Sequence, residues 1–533
     1  MGFVDTRQLD HGTAVEADLC IVGAGAAGIA LAREFIGSRR RVVLVESGDL
    51  VFRQRTQRLY AGENRGVDNH PTTQSRFRMF GGSTTRWAGQ CRPLRPLDFE
   101  RRAAIPHSGW PFGFEALAPY YRRAQPVCNL PSCDYDPEFW SRREKNPLSR
   151  PSDPLDSLVF QFSDPKDFGR IYRDELAAAP NIEVYLNANV IRIESDAAGR
   201  EVTGLQAATF NGKRIGFGAR AFVLACGGIE NPRLLLASRD ADPAGLGNRF
   251  DLVGRFFMDH PYFLNGYYEP ADPKLARNFY TIEDYDRVGR EQKINAAFCL
   301  KESVLRETGL NGAALYFVRR PRYKTLPAYF SPAGRSFIHM VNVAGRKVEP
   351  DRRFGRHLSN IARGLDVVAL NLGRQALESL RPRPLLGLRT ILEATPNPDS
   401  RVTLTPQRDP FGLPRVAVDW RLNRSDLEGF RRLMSALREA FARLGLGRLV
   451  EDEAVDAAGW PQSMSGGKHH MGTTRMHDDP KKGVVDAACR VHGMGNLYVA
   501  GSSLFPTGGS VNPTLTIVAL AIRLADRLKQ DLA

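Results

Sequence analysis

What the chain lacks already excludes several classes of protein. No apolar run approaches the roughly 20 residues that a membrane-spanning helix needs. Residues Met1 to Ala17 carry acids and have no apolar core, so no secretory signal is expected there. Cysteine is scarce, with seven residues at 20, 91, 128, 133, 226, 299 and 489, odd in number and mostly dispersed. That usage speaks against a disulfide framework and for a reducing, cytoplasmic setting. Cys128 and Cys133 stand close together, but no second pair completes a zinc site, so no metal is expected. Finger spacings, an RNP-like aromatic strand and repeated basic helices are absent, which argues against a nucleic-acid partner. No internal repeat is present.

What remains is an ordinary globular composition, 42% hydrophobic and 25% charged, in 533 residues. That length is too great for one simple core and suits two intimately joined domains. The formal net charge of +15 is uneven. From Arg319 to Arg389 fifteen Lys/Arg face four acids, a surplus of eleven in 71 residues. The plain reading of this block is a solvated Arg-rich face. The sharper one is a docking surface for an anionic partner, a membrane surface or an acidic substrate.

Near the N-terminus an apolar run, Asp18 to Val22, leads into Gly23-Ala-Gly25-Ala26-Ala27-Gly28 and a small-residue helix, followed by a second strand, Val42 to Glu46. Gly23 permits the tight turn, Gly25 lets the backbone approach a pyrophosphate, and Gly28 lets the helix pack close to the sheet. Glu46 lies 23 residues after Gly23, where an acid that binds a ribose hydroxyl is expected. Strand, turn, helix and acid together predict a dinucleotide site.

At the other end the chain reads GGKHHMGTTRM and, after a glycine-rich interval, NLYVAGSSLFPTGGSVNPTLTIVALAIRLADRL. Leu497 to Ala500 reads as a buried strand ending in Gly501-Ser502-Ser503. Asn512 at the N-cap and Pro513 at the first helical position predict a helix from Thr514 to about Leu528. Its positive end would suit an anion or an electron-rich ring.

The two ends together resemble the glucose–methanol–choline (GMC) oxidoreductases, flavoproteins that oxidise alcohols. The resemblance returns at Phe80-Gly-Gly-Ser-Thr-Thr-Arg-Trp87, at Phe222 to Leu236, at Val253-Gly-Arg-Phe-Phe-Met-Asp-His-Pro261 and at Pro396 to Leu404. It thins over about 100–170 and 262–390. It implies FAD as cofactor and a small-molecule alcohol as substrate, with oxygen or a quinone-type acceptor reoxidising the flavin. The family pattern His-x-x-Gly-Thr selects His469 rather than His470 as general base, paired with Asn512, which orients the substrate oxygen. Further cofactor contacts are expected from Gly81, Gly82, Ser83 and Trp87, from the backbone near Val190, from Gly501 and Ser502, and from Pro513 and Thr514 at the helix start. Some relatives attach the flavin through a histidine just before the corresponding tryptophan. Arg86 stands there, so noncovalent FAD is expected. Within the family the chain is most similar to the bacterial sugar- and polyol-oxidising branch, including pyranose oxidase-like members, which implies a sugar, glycoside or cyclitol hydroxyl. A non-sugar aliphatic or aromatic alcohol is the alternative, as is a lyase on the same flavoprotein fold. A nicotinamide enzyme is disfavoured by the C-terminal segment.

The expected fold is α/β, a Rossmann-like FAD-binding domain with a second α+β substrate domain on an antiparallel sheet. Residues 1–260 form the first part of the FAD domain, with a possible lid over 92–165. Residues 261–454 form the substrate domain, and 455–533 return to the FAD domain. Short alternating segments predict strands over Tyr262–Tyr268, Lys293–Leu300, Ala314–Arg319, Ser336–Val343, Arg389–Thr395, Arg401–Thr405 and Arg415–Asp419. Helices are expected over Asn360–Leu380 and Ser425–Gly445.

Overall fold

A computed structural model describes residues 2–67, 69–144, 153–272, 280–281, 293–318, 331–344, 354–379, 385–451, 456 and 458–533. The first sheet has eight strands. Its parallel part runs Phe3–Asp5, Ile182–Leu186, Val42–Val45, Ala14–Val22 and Arg214–Leu224. The last of these, apolar through Phe222-Val-Leu, is flanked on one side by Ala14–Val22. On the other it pairs with Val202–Ala208 through its first half and with Leu497–Val499 through its second. The chain's last strand is thus seated beside the first dinucleotide strand's neighbour, which brings the two motif-bearing ends together. Strands buried on both faces read as continuous apolar runs, which is why this part was legible.

The helix Thr514–Asp531 is buried on most of its circumference and packs against Ala26–Arg33 and Phe114–Val127. The hydroxyls of Tyr121 and Thr516 lie 2.8 Å apart in that seam. Leu117, Tyr121, Ala124 and Cys128 accordingly belong to the core of the FAD domain. None of the described residues of 92–165 lines the large cavity, so the geometry gives the lid reading no support.

The second sheet is antiparallel. Its order is Gly447–Glu451, Pro261–Pro270, Leu386–Leu392, Ala313–Val318, Ile294–Leu300, Leu155–Phe162 and Gln90–Cys91, with Ser465–Gly466 added beside Pro261. Strands from 90–91 and 155–162 therefore cross the boundary drawn at 260, and the sheet extends to 466. The helix Arg424–Arg443 covers one face with Phe430, Leu433, Leu437 and Phe441. Its start is fixed by Asp426, which accepts from the amide of Asn423 at 2.8 Å.

Two expectations fail here. Residues 336–343 are helical, within Pro332–Ala344, and that helix packs on Phe354–Ala362 and Leu365–Ser379. An apolar run this short fits either period, and its neighbours decided. Arg401–Arg408 and Pro414–Trp420 do form strands, but in a separate three-stranded sheet with Glu63–Gly66, over 330 residues away in sequence. Much of the basic block falls outside the described residues, which cover 331–344, 354–379 and 385–389 of it. Among the described residues no helix is long and apolar enough to cross a membrane.

Candidate active site

A cavity of about 850 Å³ runs between the two sheets. One end is built by the glycine turn. Gly23 has φ +105°, and a Cβ at Gly28 would lie 1.9 Å from the carbonyl oxygen of Gly23. Only glycine lets the helix Ala26–Arg33 start so close to the strand. At Gly25 an added Cβ would meet no protein atom within 4 Å. The space beyond it is cavity, open for a group that approaches the backbone. Glu46 follows the strand Val42–Val45, and its carboxylate accepts from the amides of Ala24 at 2.9 Å and Gly48 at 2.7 Å. The acid is thereby tied to the glycine turn itself.

The 80–87 segment leans on the same turn. The amide of Gly81 donates to the carbonyl of Ala24 at 2.8 Å, and a Cβ at Gly82 would come within 2.9 Å of Cα of Gly25. The Trp87 indole donates to the Lys166 carbonyl at 2.8 Å. Of the cofactor residues expected from sequence, Gly23, Gly25, Ala26, Ala27, Glu46, Gly82, Ser83, Trp87, Val190, Gly501, Ser502, Pro513 and Thr514 line the cavity. Gly28 and Gly81 do not; they pack behind it, against Gly23 and Gly169.

The other end carries His469 and Asn512. The helix begins at Thr514 with Pro513 as its cap, and the Asn512 side chain makes no capping bond. Asn512 instead lines the cavity, with Nδ2 3.5 Å from Nε2 of His469. The expected cap is thus shifted by one residue, because proline occupies the cap position and leaves the asparagine amide to the cavity.

His469 is held from behind by two groups, the carboxylate of Asp259 and the ring of His260. The buried carboxylate of Asp259 accepts from the amides of His469 at 2.8 Å, Lys468 at 3.1 Å and His260 at 2.8 Å. The left-handed turn at Lys468, φ +64°, is fixed by these bonds. Nδ1 of His260 lies 2.8 Å from Nδ1 of His469, while Nε2 of His260 has no hydrogen-bond partner and faces the backbone of Gly508 and Gly509. His470 points away. Its carbonyl accepts from the Ser502 hydroxyl at 2.7 Å and its ring packs on Phe257.

Burial sets the protonation states. Desolvation, reinforced by His260 and His470, holds His469 well below the usual imidazole range. Desolvation lowers His260 to about 4. It raises Asp259 to about 6, opposed by the amide of His469, by Asn69 and by the amides of His260 and Lys468. Near neutral pH both imidazoles are therefore neutral, and His469 can accept a proton.

Sequence reasoning missed Asp259 and His260 as site residues, although the Met-Asp-His-Pro stretch had been noted as part of a resemblance. It also missed a buried ion cluster on the cavity wall. Glu230 accepts from Arg76 at 2.8 Å, Arg78 at 2.7 Å and Arg233 at 3.0 Å, and Arg233 also bonds Asp409 at 2.9 Å. Arg233, Arg76 and Arg78 hold Glu230 down at about 2 against the desolvation of its charge. Nothing local in the sequence marks these partners, which lie up to 176 residues apart.

The turn and the acid frame a dinucleotide site whose cavity is also lined by His469 and Asn512. Comparison with known proteins agrees. Residues 18–244 match the family model described as FAD dependent oxidoreductase, and 396–521 match that described as GMC oxidoreductase. The chain is 27% identical to 6'''-hydroxyparomomycin C oxidase of Streptomyces lividus, over 98% of this chain and 94% of that one. It is 25% identical to paromamine 6'-oxidase of Streptomyces fradiae, over 97% and 92%. Among solved structures, pyridoxine 4-oxidase from Mesorbium loti shares the fold with a TM-score of 0.59 at 17% identity, over 96% of this chain and 99% of that one. The chain thus carries an FAD oxidoreductase domain and a GMC oxidoreductase C-terminal domain, and is an FAD-dependent alcohol oxidoreductase.

Proposed function

We propose that the protein oxidises a hydroxyl of a sugar, glycoside or cyclitol to a ketone or aldehyde, with His469 as general base. The observation that carries this reading is the His469–Asn512 pair, 3.5 Å apart at one end of a cavity whose other end is the glycine turn and Glu46. Relatives named as oxidases of paromomycin-type compounds support the sugar or cyclitol class.

FAD fits the residues present: open space above Gly25, a helix start, and a carboxylate tied to the turn. When bound, it supplies the hydride acceptor for the carbinol carbon. The chain's own residues do the rest. Asn512 donates its amide hydrogen to the substrate oxygen and holds it beside Nε2 of His469. Nε2 takes the hydroxyl proton. In the tautomer that leaves Nε2 free, Nδ1 of His469 carries the hydrogen and donates to Nδ1 of His260. The hydrogen of His260 then lies on Nε2, toward Gly508 and Gly509. His260 is thus a positioning residue and Asp259 anchors the loop. Glu46 holds the adenosine ribose, and residues 1–260 with 455–533 form the FAD domain, apart from the strands at 90–91, 155–162 and 465–466, which join the sheet of the substrate domain of 261–454.

The cofactor is held without a covalent bond, since Arg86 offers no nucleophile beside Trp87. Oxygen or a quinone-type compound takes up the electrons afterward. A panel of sugars, cyclitols and simple alcohols, run with oxygen and with a quinone dye, tests the substrate class and the acceptor together. Acid precipitation should release the yellow colour into the supernatant; colour retained in the pellet contradicts noncovalent binding. Turnover of aliphatic or aromatic alcohols alone would replace the sugar reading.

A further inference from the structure

The charges on the cavity wall fall into two groups. The acids that line it are Glu46, Glu230 and Asp409. Each is already engaged, Glu46 by two backbone amides and the other two by arginines. On the wall formed by the antiparallel sheet the situation is reversed. Arg389 lies in the strand Leu386–Leu392 and lines the cavity, yet among the described residues its side chain makes no hydrogen bond or ion pair. Its neighbours across the sheet are Leu264 on one side and Tyr316 on the other. Neither carries a negative charge. Among the described residues the side chains of Lys468 and Arg86, which also line the cavity, have no carboxylate partner either.

Arg389 is close to the reacting end. Tyr262 pairs in register with Ile391, and its ring lies 6.1 Å from the ring of His469. Residues two apart on a strand share a face and are separated by about 6.6 Å. Ile391 and Arg389 both line the cavity, so the backbone of Arg389 lies one strand repeat beyond the residue paired with Tyr262, and its side chain extends from there along the cavity wall. One such repeat is about the width of a hexose ring. A guanidinium that is half-buried and unpaired is costly, and a planar oxyanion in two-point contact satisfies it best.

We infer that the substrate carries an anionic group, a carboxylate or phosphate, which binds Arg389 across the ring from the hydroxyl that His469 deprotonates. The inference rests on the reading of His469 as base and names the substrate's charge. It sets this site apart from one that would take an amino sugar, whose ammonium would meet a wall of cations with no free acid.

The test uses purified FAD-loaded protein and a matched hexose series: neutral sugar, 6-carboxylate, 6-phosphate and 2-amino analogue. Turnover is read as kcat/KM and binding as the perturbation of the flavin spectrum. The anionic members are expected to be preferred over the neutral and amino members. Arg389→Gln should lower that preference by about 10- to 100-fold, the scale of a lost charged hydrogen bond, and Arg389→Lys should restore part of it. Comparing carboxylate with phosphate tells which oxyanion fits. A preference for the amino sugar, or a ratio unchanged in Arg389→Gln that still holds FAD, overturns the inference and leaves alcohol oxidation standing. If no member is oxidised, acetate and inorganic phosphate binding decide the matter. Spectral binding lost in Arg389→Gln supports the anion site while the choice of hexose fails, and binding equal in both proteins overturns it.

Discussion

Replacing His260 with leucine removes the group that hydrogen-bonds Nδ1 of the proposed base. The 2.8 Å contact between the two Nδ1 atoms is a neutral hydrogen bond in a buried setting. Such a bond is worth about 0.5–1.5 kcal/mol net. If it serves to hold His469 in the tautomer with Nε2 free, its loss lowers kcat by about 2- to 13-fold at 1.36 kcal/mol per factor of ten. This is well short of losing the base itself, which costs about 100- to 10,000-fold. His260→Asn puts an amide oxygen near the position of Nδ1 and keeps an acceptor there. The asparagine variant should therefore recover most of kcat, while both variants retain FAD. The assay is steady-state turnover with a dye acceptor, with flavin content measured on the same samples. A leucine variant with unchanged kcat, or an asparagine variant as slow as leucine, would refute the tautomer argument.

Three further outcomes follow from the same geometry. Asp259 is raised to about 6 by burial, and its ionised form is the one that accepts from three backbone amides around His469. Activity should fall as pH drops through about 6, whereas the contribution of Asp259 to stability runs the other way, present at low pH and lost as pH rises through 6; Asp259→Asn should abolish that limb of the pH–rate profile, and a limb that persists unchanged would assign it elsewhere. Glu230→Gln leaves Arg76 and Arg78 buried without their anion, at a cost of about 3–5 kcal/mol. With unfolding entropy of roughly 2.1 cal/mol/K per residue, this corresponds to a fall of about 4 °C in melting temperature for a cooperative chain of this length, checked by calorimetry, and a midpoint that does not move would show the cluster to be dispensable. Gly28→Ala drives a Cβ to within 1.9 Å of the Gly23 carbonyl and should displace the helix, while Gly25→Ala meets no protein atom within 4 Å and should fold normally; both should be purified without flavin, and a yellow Gly25→Ala protein would contradict the placement of the cofactor.

The sequence made the backbone of this site legible where the signal was local. Glycines at fixed spacing and an uninterrupted apolar run declare a dinucleotide strand and turn, and both stand where they were expected. Strands 261–270, 294–300 and 313–318 were read because each alternates or is flanked by turns, whereas the strand expected over Arg389–Thr395 lies three residues earlier, at 386–392. The failures were tertiary. The helix Pro332–Ala344 contains a stretch whose apolar residues suit either period, and packing on two other helices decides it. The strands at 401–408 and 414–420 find their third partner at 63–66, which no local pattern reveals. His260 was hidden for the same reason: its partner is 209 residues away. Asn512 was read as a cap because asparagine before proline commonly is one, yet the proline took that place and freed the side chain.

The central claim, that His469 takes a sugar-type hydroxyl proton while bound FAD accepts the hydride, is tested most directly by anaerobic mixing. Purified protein and its His469→Ala and His470→Ala variants are mixed with the sugar and cyclitol panel while the flavin absorbance is followed. The flavin bands should bleach in the wild type and in His470→Ala with at least one sugar or cyclitol, and about 100- to 10,000-fold more slowly in His469→Ala with FAD still bound. Bleaching that is undiminished in His469→Ala, or that His470→Ala abolishes instead, would contradict it.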